Sequence, residues 1–387
     1  MAVLPLAWPQ WWERHYAKAA LALAAVTVGY YVFGLPSAAL GTVAAMARDY
    51  ADFIILIASL YVIAGGIQLQ VKRPSSPRLN TLFLALGGLA ANVLGTTGAA
   101  MLLIRPWLRL NRPRVAAHHL VFFIFIICNA GGGLTPLGDP PLLVGYLKGV
   151  PFWWVVRHCW SMWLCAMAFL LTVFYFIDRR HHTKTTSLTA QPGEPWRLEG
   201  LWNLVFLAVI IAAMFVPEPF LGQGLMLAAA AGSYLTTGRE RREANEFSWR
   251  PMIEIAVLFL AIFATMMPAL DWLARPSLRE HLSPALVYWS SGTMSAFLDS
   301  APAYLAFFSV AKNSAPGGFD AGTVAALSVA TVMFGAATYL GNAPNLMVKA
   351  MADEQKIPAP SFLGYLFKWA VPVMLPLLLM LWLVFFR

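Results

Sequence analysis

The chain has 387 residues, of which 59% are hydrophobic and only 12% are charged, and its mean hydropathy is +0.66. These proportions exclude a soluble enzyme, because a water-exposed surface needs roughly a quarter of its residues charged. The net charge is +9, but the basic residues lie between long apolar runs. The sequence therefore predicts an all-α polytopic membrane protein that contacts the lipid bilayer and binds no nucleic acid.

Apolar stretches long enough to cross a bilayer recur along the whole chain. They fall near residues 17–35, 51–70, 80–104, 115–148, 152–177, 200–217, 219–237, 252–274, 284–312, 320–353 and 362–386. The first run is followed by further runs, which is atypical of a cleaved signal peptide. Residues 1–16 are rich in tryptophan and predict an interfacial N-terminal segment.

Basic residues flank the segment 80–104 on both sides. They are Lys72, Arg73 and Arg78 before it, and Arg105, Arg109, Arg112 and Arg114 after it. The positive-inside rule places both flanks in the cytoplasm, so the segment is predicted to be a re-entrant helical hairpin rather than a crossing. A second hairpin is assigned to 284–312. With these two hairpins the N-terminus is predicted to be cytoplasmic, in an inner (plasma) membrane.

Two glycine- and proline-containing stretches, 135–141 (TPLGDPP) and 338–344 (TYLGNAP), match in their unusual residues. Each interrupts an apolar run and follows a proposed hairpin. We therefore predict a first half, 17–177, with a hairpin at about 80–104 and a broken helix at about 115–148. A cytoplasmic linker, 178–199, precedes a second half, 200–387, with a hairpin at about 284–312 and a broken helix at about 320–353. Five crossings separate the hairpins, so the halves form an inverted-topology repeat, typical of secondary transporters.

Polar residues at these breaks are the candidate ion or substrate ligands. Carboxylates inside a membrane are costly and usually functional, so Asp139 and Asp299 are predicted to bind Na⁺ or protons in turn. Helix capping is the alternative for Asp139, which precedes two prolines. Neutral oxygens would complete the cation shell, or else form interhelical hydrogen bonds. The candidates are Asn92, Thr96, Thr97, Asn129, Thr135, Ser300, Thr338, Asn342 and Asn345.

Other polar residues are given structural interpretations. Glu254 is expected near Arg250 at the interface. His118 and His119 are expected beside Arg112 and Arg114 at the cytoplasmic end of their helix, where an interfacial role is favoured over the alternative, a proton relay. The sequence contains no metalloprotease, P-loop or nucleophile-elbow motif, so it supports neither a hydrolase nor an ATP-driven pump. We therefore predict that the protein is not an enzyme and holds no cofactor.

The motifs resemble those of the ion transporter superfamily, in its citrate-transporter-like and sodium/proton antiporter branch. The carrying stretches are NVLGTTGAAMLLIRP (92–106), NAGGGLTPLGDPPLL (129–143), SAFLDSAPAYL (295–305) and YLGNAPNLM (339–347). The resemblance implies a homodimer with a scaffold and a mobile transport unit that contains two hairpins and two broken helices. Relatives labelled antiporters carry L-D-N-A-P where this chain has Ser300.

Two transport functions follow from these residues. The leading prediction is sodium/proton antiport by alternating access, with Na⁺ and H⁺ as transported or coupling ions, because two carboxylates where the repeats meet favour a cation. The alternative is a sodium- or proton-coupled carrier of citrate or a related anion, bound by half-helix N-termini. A channel or a non-transporting scaffold would need neither the repeated breaks nor the intramembrane acids.

Overall fold

The computed structural model describes residues 9–36, 39–72, 75–185, 194–216, 218–245, 247–273, 283–312, 320–354 and 357–387. Within these ranges the regular structure is helical apart from one two-stranded sheet. Five described helices are long and apolar enough to cross a membrane. They span Arg14–Gly34, Pro77–Asn111, Trp154–His182, Met252–Asp271 and Phe362–Phe385. The prediction of a helical, multi-pass membrane protein is confirmed.

The helices and strands follow one another in this order. In the first half they are α1 (Pro9–Gly29, extended by a π-helical turn Tyr30–Gly34), α2 (Ala39–Gly65), β1 (Gln68–Lys72), α3 (Pro77–Asn111), α4 (Ala117–Ile126), α5 (Pro140–Leu147) and α6 (Trp154–Thr185). The second half contains β2 (Glu194–Glu199), α7 (Asn203–Ala213), α8 (Pro219–Thr236), α9 (Arg239–Ala244), α10 (Arg250–Leu273), α11 (Pro284–Leu298), α12 (Ser300–Lys312), α13 (Ala321–Gly335), α14 (Ala343–Glu354) and α15 (Phe362–Phe385).

The segment 178–199, predicted to be a linker, is more structured than expected. Helix α6 continues through Thr185, and residues 194–199 form β2, which pairs antiparallel with β1 so that Gln68 lies opposite Glu199. The fold is all-α apart from this small sheet, which pairs β1 of the first half with a strand at the end of the predicted linker. Short pairings between distant segments leave no periodic signal in so few residues.

The second apolar segment is predicted at 51–70. In the structure the corresponding helix, α2, begins at Ala39 and ends at Gly65. Charged side chains at 48, 49 and 52 lower the local hydropathy and conceal the start of the helix. Two of them have partners in the fold, since Asp49 pairs with Lys148 and Asp52 accepts a hydrogen bond from Gln223.

Helix α3 reverses direction at Gly95, which has a φ of 75° and a ψ of 153°. Asn80 donates a hydrogen bond to Asn111 at 2.8 Å, and the rings of Phe83 and Trp107 are 5.3 Å apart. In a straight helix residues 80 and 111 would be separated by about 46 Å. The two arms therefore lie side by side, antiparallel, and the segment is a helical hairpin with its tip at Gly95.

Helices α11 and α12 form a comparable turn at Asp299, which has a φ of 80° and a ψ of 144°. The first arm runs along α13, since Pro284 lies beside Gly322 and the Ser295 hydroxyl donates to the Thr331 carbonyl at 2.6 Å. Beyond the turn, the Tyr304 hydroxyl lies 3.5 Å from Ser328, so the chain runs back along the same helix.

Each hairpin packs against a helix that breaks in its middle. Helices α4 and α5 are separated by irregular backbone at 127–139, and α13 and α14 by irregular backbone at 336–342. Glycine permits close backbone contact in both breaks. A Cβ atom on Gly138 would lie 2.1 Å from the Gly132 carbonyl oxygen, and one on Gly341 would lie 2.4 Å from that of Gly335.

The remaining helices pack in a group beside these hairpins and breaks. Helix α1 packs on α10, and α8 packs on both α2 and α7. Helix α2 also contacts α3 and α5. It therefore lies between the unbroken helices and the elements that carry the candidate ligands.

Candidate functional site

Asp139 is the centre of the polar cluster formed by the two breaks. Its side chain is 1% exposed, and its Oδ1 accepts hydrogen bonds from the Thr96 hydroxyl at 2.9 Å and from the Asn342 amide at 2.8 Å. Its Oδ2 has no hydrogen-bond partner among the described residues. No described cation interacts with this carboxylate.

The capping interpretation of Asp139 is wrong. The residue does precede α5, but its side chain makes no hydrogen bond to the N-terminus of that helix, and Oδ1 accepts instead from Thr96 and from Asn342 in the other half. Its main-chain carbonyl accepts the bonds from Leu142 and Leu143 instead. The carboxylate is therefore available to a ligand, and burial without a cation makes its full charge costly.

Asn342 links the two breaks. Its amide nitrogen contacts Asp139, the Cys128 carbonyl at 3.0 Å and the Asn129 side-chain oxygen at 3.4 Å, and its own Oδ1 has no partner among the described residues. The side chains of Asp139 and Asn342 are thus in direct contact, and each has one buried oxygen that accepts no hydrogen bond from the described residues. Oxygen atoms of this kind are the ligands that hard cations such as Na⁺ prefer.

Asn129 and Asn345 form a second bridge between the halves. The Asn129 amide donates to Asn345 Oδ1 at 2.8 Å, and the Asn345 amide donates to the carbonyls of Gly335 and Thr338, both at 3.0 Å. Both side chains are fully buried. Their hydrogen bonds are used within the protein, so their contribution is to hold the breaks together.

Three predicted ligands secure the hairpins to the breaks. The Thr135 hydroxyl donates to the Asn92 carbonyl, and in the second half the Thr338 hydroxyl donates to the Ala296 carbonyl. The Asn92 side chain makes hydrogen bonds of its own, donating to the Gly88 and Gly131 carbonyls and accepting from Leu134. These three residues have the interhelical role that the sequence left open, and the same bond occurs in both halves.

Asp299 and Ser300 lie at the tip of the second hairpin. Asp299 Oδ1 accepts the Ala301 main-chain N–H at 3.2 Å, and the Ser300 hydroxyl is buried with no partner among the described residues. Neither side chain hydrogen-bonds to the Asp139 cluster in this conformation.

A cavity of about 30 Å³ adjoins Asp139. It is lined by Leu56, Ile57, Leu60 and Tyr61 of α2, by residues 94–98 at the first hairpin tip, and by residues 136–140 and Leu143. Thr97 lines this cavity, although its hydroxyl makes no hydrogen bond among the described residues, and its role as a ligand stays a prediction. The volume accommodates about two water molecules or one small cation.

Sequence reasoning missed one group at the site and one cluster away from it. The Cys128 carbonyl lies at the site because α4 unwinds after Ile126, and no side-chain pattern signals a main-chain ligand. Asp178 was not singled out, yet it lies buried beside Arg114 and His118. Glu254, in contrast, is paired with Arg250 at 3.1 Å on the surface, as predicted.

Comparison with known families identifies the chain. A family model described as "Putative citrate transport" matches residues 1–386. No curated protein matches the sequence. The match covers nearly the whole chain and agrees with the helical membrane architecture. The chain therefore belongs to this citrate-transporter-like family of ion transporters.

Proposed function

We propose that the protein is a secondary active transporter that couples the movement of citrate or a related carboxylate to a cation, Na⁺ or H⁺, bound at Asp139. The observation that carries this proposal is the Asp139 carboxylate, buried beside a cavity with one oxygen unpartnered and no cation near it among the described residues. The family description supports the carboxylate substrate.

The proposed mechanism is alternating access. A cavity of about 30 Å³ has no room for a tricarboxylate, so this conformation corresponds to a state closed to substrate. A cation on Asp139 and Asn342 would neutralise the carboxylate and allow an anion to approach the hairpin tips. Half-helix N-termini at Thr96 and Ser300 offer partial positive charge for that anion.

We further propose that the two hairpins are re-entrant and related by an inverted repeat, with a cytoplasmic N-terminus in the plasma membrane. The near-identical tip geometry and the matching threonine bonds in the two halves support this relationship. In the proposed homodimer, the group formed by α1, α2, α7, α8 and α10 is the scaffold, and the hairpins and breaks move against it.

Sodium/proton antiport is the second candidate. The small cavity and the two intramembrane carboxylates favour it, because both suit a cation alone. In this case Na⁺ and H⁺ would compete for Asp139 without a carboxylate substrate. Sodium/proton antiport therefore stays a prediction that rests on the cavity size and the two carboxylates.

Flux measurements in proteoliposomes distinguish the two functions. Under an imposed inward Na⁺ or H⁺ gradient, the first proposal expects accumulation of labelled citrate that stops when the gradient is collapsed. Antiport expects Na⁺-driven proton movement that is the same with and without citrate. Absence of gradient-driven citrate uptake, together with citrate-independent exchange, would establish the second function and reject the first.

A further inference from the structure

We propose that His118 is a proton-binding site, separate from Asp139, whose charge controls how firmly the first hairpin is held on α6. His118 belongs to a buried polar cluster at the opposite end of α4 from the break. The members are Asn80, Asn111, Arg114, His118, His119 and Asp178, and none is more than 8% exposed. The transport site uses none of them.

Asp178 connects three parts of the fold. Its Oδ1 lies 2.9 Å from the Arg114 guanidinium, and its Oδ2 accepts a hydrogen bond from the Asn80 amide at 2.9 Å. Asn80 lies on the first hairpin arm and also bonds Asn111 on the second. The carboxylate of α6 therefore holds both arms of the hairpin at their ends, far from the tip at Gly95.

Nε2 of each histidine lies close to the same Asp178 oxygen, at 3.2 Å for His118, which is hydrogen-bonded to it, and at 3.1 Å for His119, which is not. Their rings are 4.0 Å apart, so two positive charges would repel strongly and the pair accepts one proton at most. The charged and titratable groups that face His118 are Asp178 and His181 from α6, and Arg114 and His119 from its own segment. The hairpin contributes neutral amides.

The hydrogen bonds distinguish the two rings. His119 Nδ1 accepts the Ala116 main-chain N–H at 3.2 Å, so its proton must remain on Nε2. Protonation of His119, or coordination of a metal by its Nε2, would place a hydrogen on Nδ1. That hydrogen would clash with the hydrogen of the Ala116 main-chain N–H. His118 has no such bond to Nδ1 among the described residues, so it is the ring that can accept the proton.

Protonation changes the charge of the cluster. With neutral histidines, Arg114 and Asp178 balance one another. A proton on His118 leaves one uncompensated positive charge in a buried site, and buried charge is strongly disfavoured. Entry of water, with loss of the bond from Asn80 to Asp178, relieves this cost. Acid is therefore expected to loosen the hairpin from α6.

The test is the melting temperature of the full-length protein in detergent as a function of pH, which requires no transport activity. Between about pH 7.5 and 5.5 the unsubstituted protein should lose about 3 °C or more. His118→Gln, which can still donate to Asp178 but cannot be charged, should remove most of that loss. His158→Gln is the matched control, because His158 is exposed and stacks on Trp154 away from the cluster. It should retain the full pH dependence.

Two outcomes overturn the proposal. Equal pH dependence in His118→Gln and His158→Gln would show that another group is responsible. Stabilisation of the unsubstituted protein by added Zn²⁺ at neutral pH, absent in His118→Gln, would show a metal site instead. If His118→Gln does not fold, the test is the ¹⁵N NMR signals of the imidazole rings in the unsubstituted protein in bilayers. The proposal requires one buried histidine to become protonated on both ring nitrogens on acidification. Failure to observe that species also rejects the proposal.

Discussion

Gly95 and Asp299 have nearly the same backbone conformation, with φ/ψ of 75°/153° and 80°/144°. Asp299 is the only non-glycine residue with positive φ in the described part of the chain. An L-residue in this region costs about 1–3 kcal/mol, and glycine avoids that cost. The backbone cost of Asp299 makes this carboxylate a position at which a function for the charge can be tested.

Replacement of Asp299 by glycine is therefore expected to separate function from stability. Asp299→Gly should fold with equal or higher stability, by up to about 1–3 kcal/mol, because the strain is relieved. Coupled transport should be strongly reduced because the carboxylate is lost. The measurements are the melting temperature and gradient-driven uptake in proteoliposomes. Full transport by the stabilised variant would remove Asp299 from the site.

The reverse change at the first tip should have the opposite effect on stability. Gly95→Ala forces a side chain into a positive φ and places its Cβ 3.2 Å from the Leu137 carbonyl oxygen. We expect a loss of about 1–3 kcal/mol, measured as a lower melting temperature. If Gly95→Ala is as stable as the unsubstituted protein, then the tip geometry is not the one described.

Asp139→Asn tests the carboxylate at the centre of the site. An asparagine oxygen can still accept from Thr96 and Asn342, so the protein should fold, but the side chain cannot neutralise a cation. Coupled transport should fall to background. In the unsubstituted protein, apparent Na⁺ affinity should weaken as the pH falls, since protons compete for the same group.

Glu254→Gln is the control for this experiment. Glu254 is partly exposed in its pair with Arg250, so its loss should leave transport almost unchanged. Equal impairment in Asp139→Asn and Glu254→Gln would indicate a general effect of removing acidic residues. Unchanged flux in Asp139→Asn would exclude the proposed site.

Labelling at the two hairpin entrances tests the inverted repeat. Ser76 and Ser283 are equivalent, since each precedes a proline and caps its helix by accepting from the third following N–H. Cysteine at either position removes the same cap. We expect an impermeant thiol reagent to reach position 76 from the cytoplasm and position 283 from outside. Reaction of both from one face would refute the inversion.

The bridge between Asn129 and Asn345 should be important for stability. Asn345→Ala removes the acceptor of the Asn129 amide and leaves the carbonyls of Gly335 and Thr338 without that donor. Buried groups left unsatisfied cost about 1–3 kcal/mol each, so we expect a clear drop in melting temperature. An Asn345→Ala variant of unchanged stability would show that the bridge is not maintained.

Asp320 provides a pH-dependent contribution outside the apolar helices. Its carboxylate caps α13 by accepting the Thr323 N–H at 2.7 Å, and the bonds from the Thr323 side chain and backbone hold the pKa of Asp320 below its ordinary value. A lowered pKa means that this stabilisation is present above the unfolded-state pKa and is lost as the pH falls through the folded-state value. Asp320→Ala should cost about 0.5–2 kcal/mol at neutral pH. The difference from the unsubstituted protein should shrink in acid, and a constant difference would contradict the cap.

Local composition was sufficient to predict much of the architecture. Long apolar runs indicated the membrane helices, and the glycine- and proline-rich stretches indicated where helices could not continue. The same reasoning placed Asp139 at a break between two helices. These features depend on hydrophobicity and backbone conformation, which are encoded in neighbouring residues.

Tertiary packing decided which side chains meet. It turned Asp139 away from its own helix and towards Asn342 in the other half, brought the Cys128 carbonyl beside them, and left Thr135 and Thr338 as hairpin contacts. It also buried Asp178, which follows an apolar run and precedes two arginines, so that the sequence suggested a linker. Partners distant in the chain are selected by the packing of whole helices, and no local pattern records that selection.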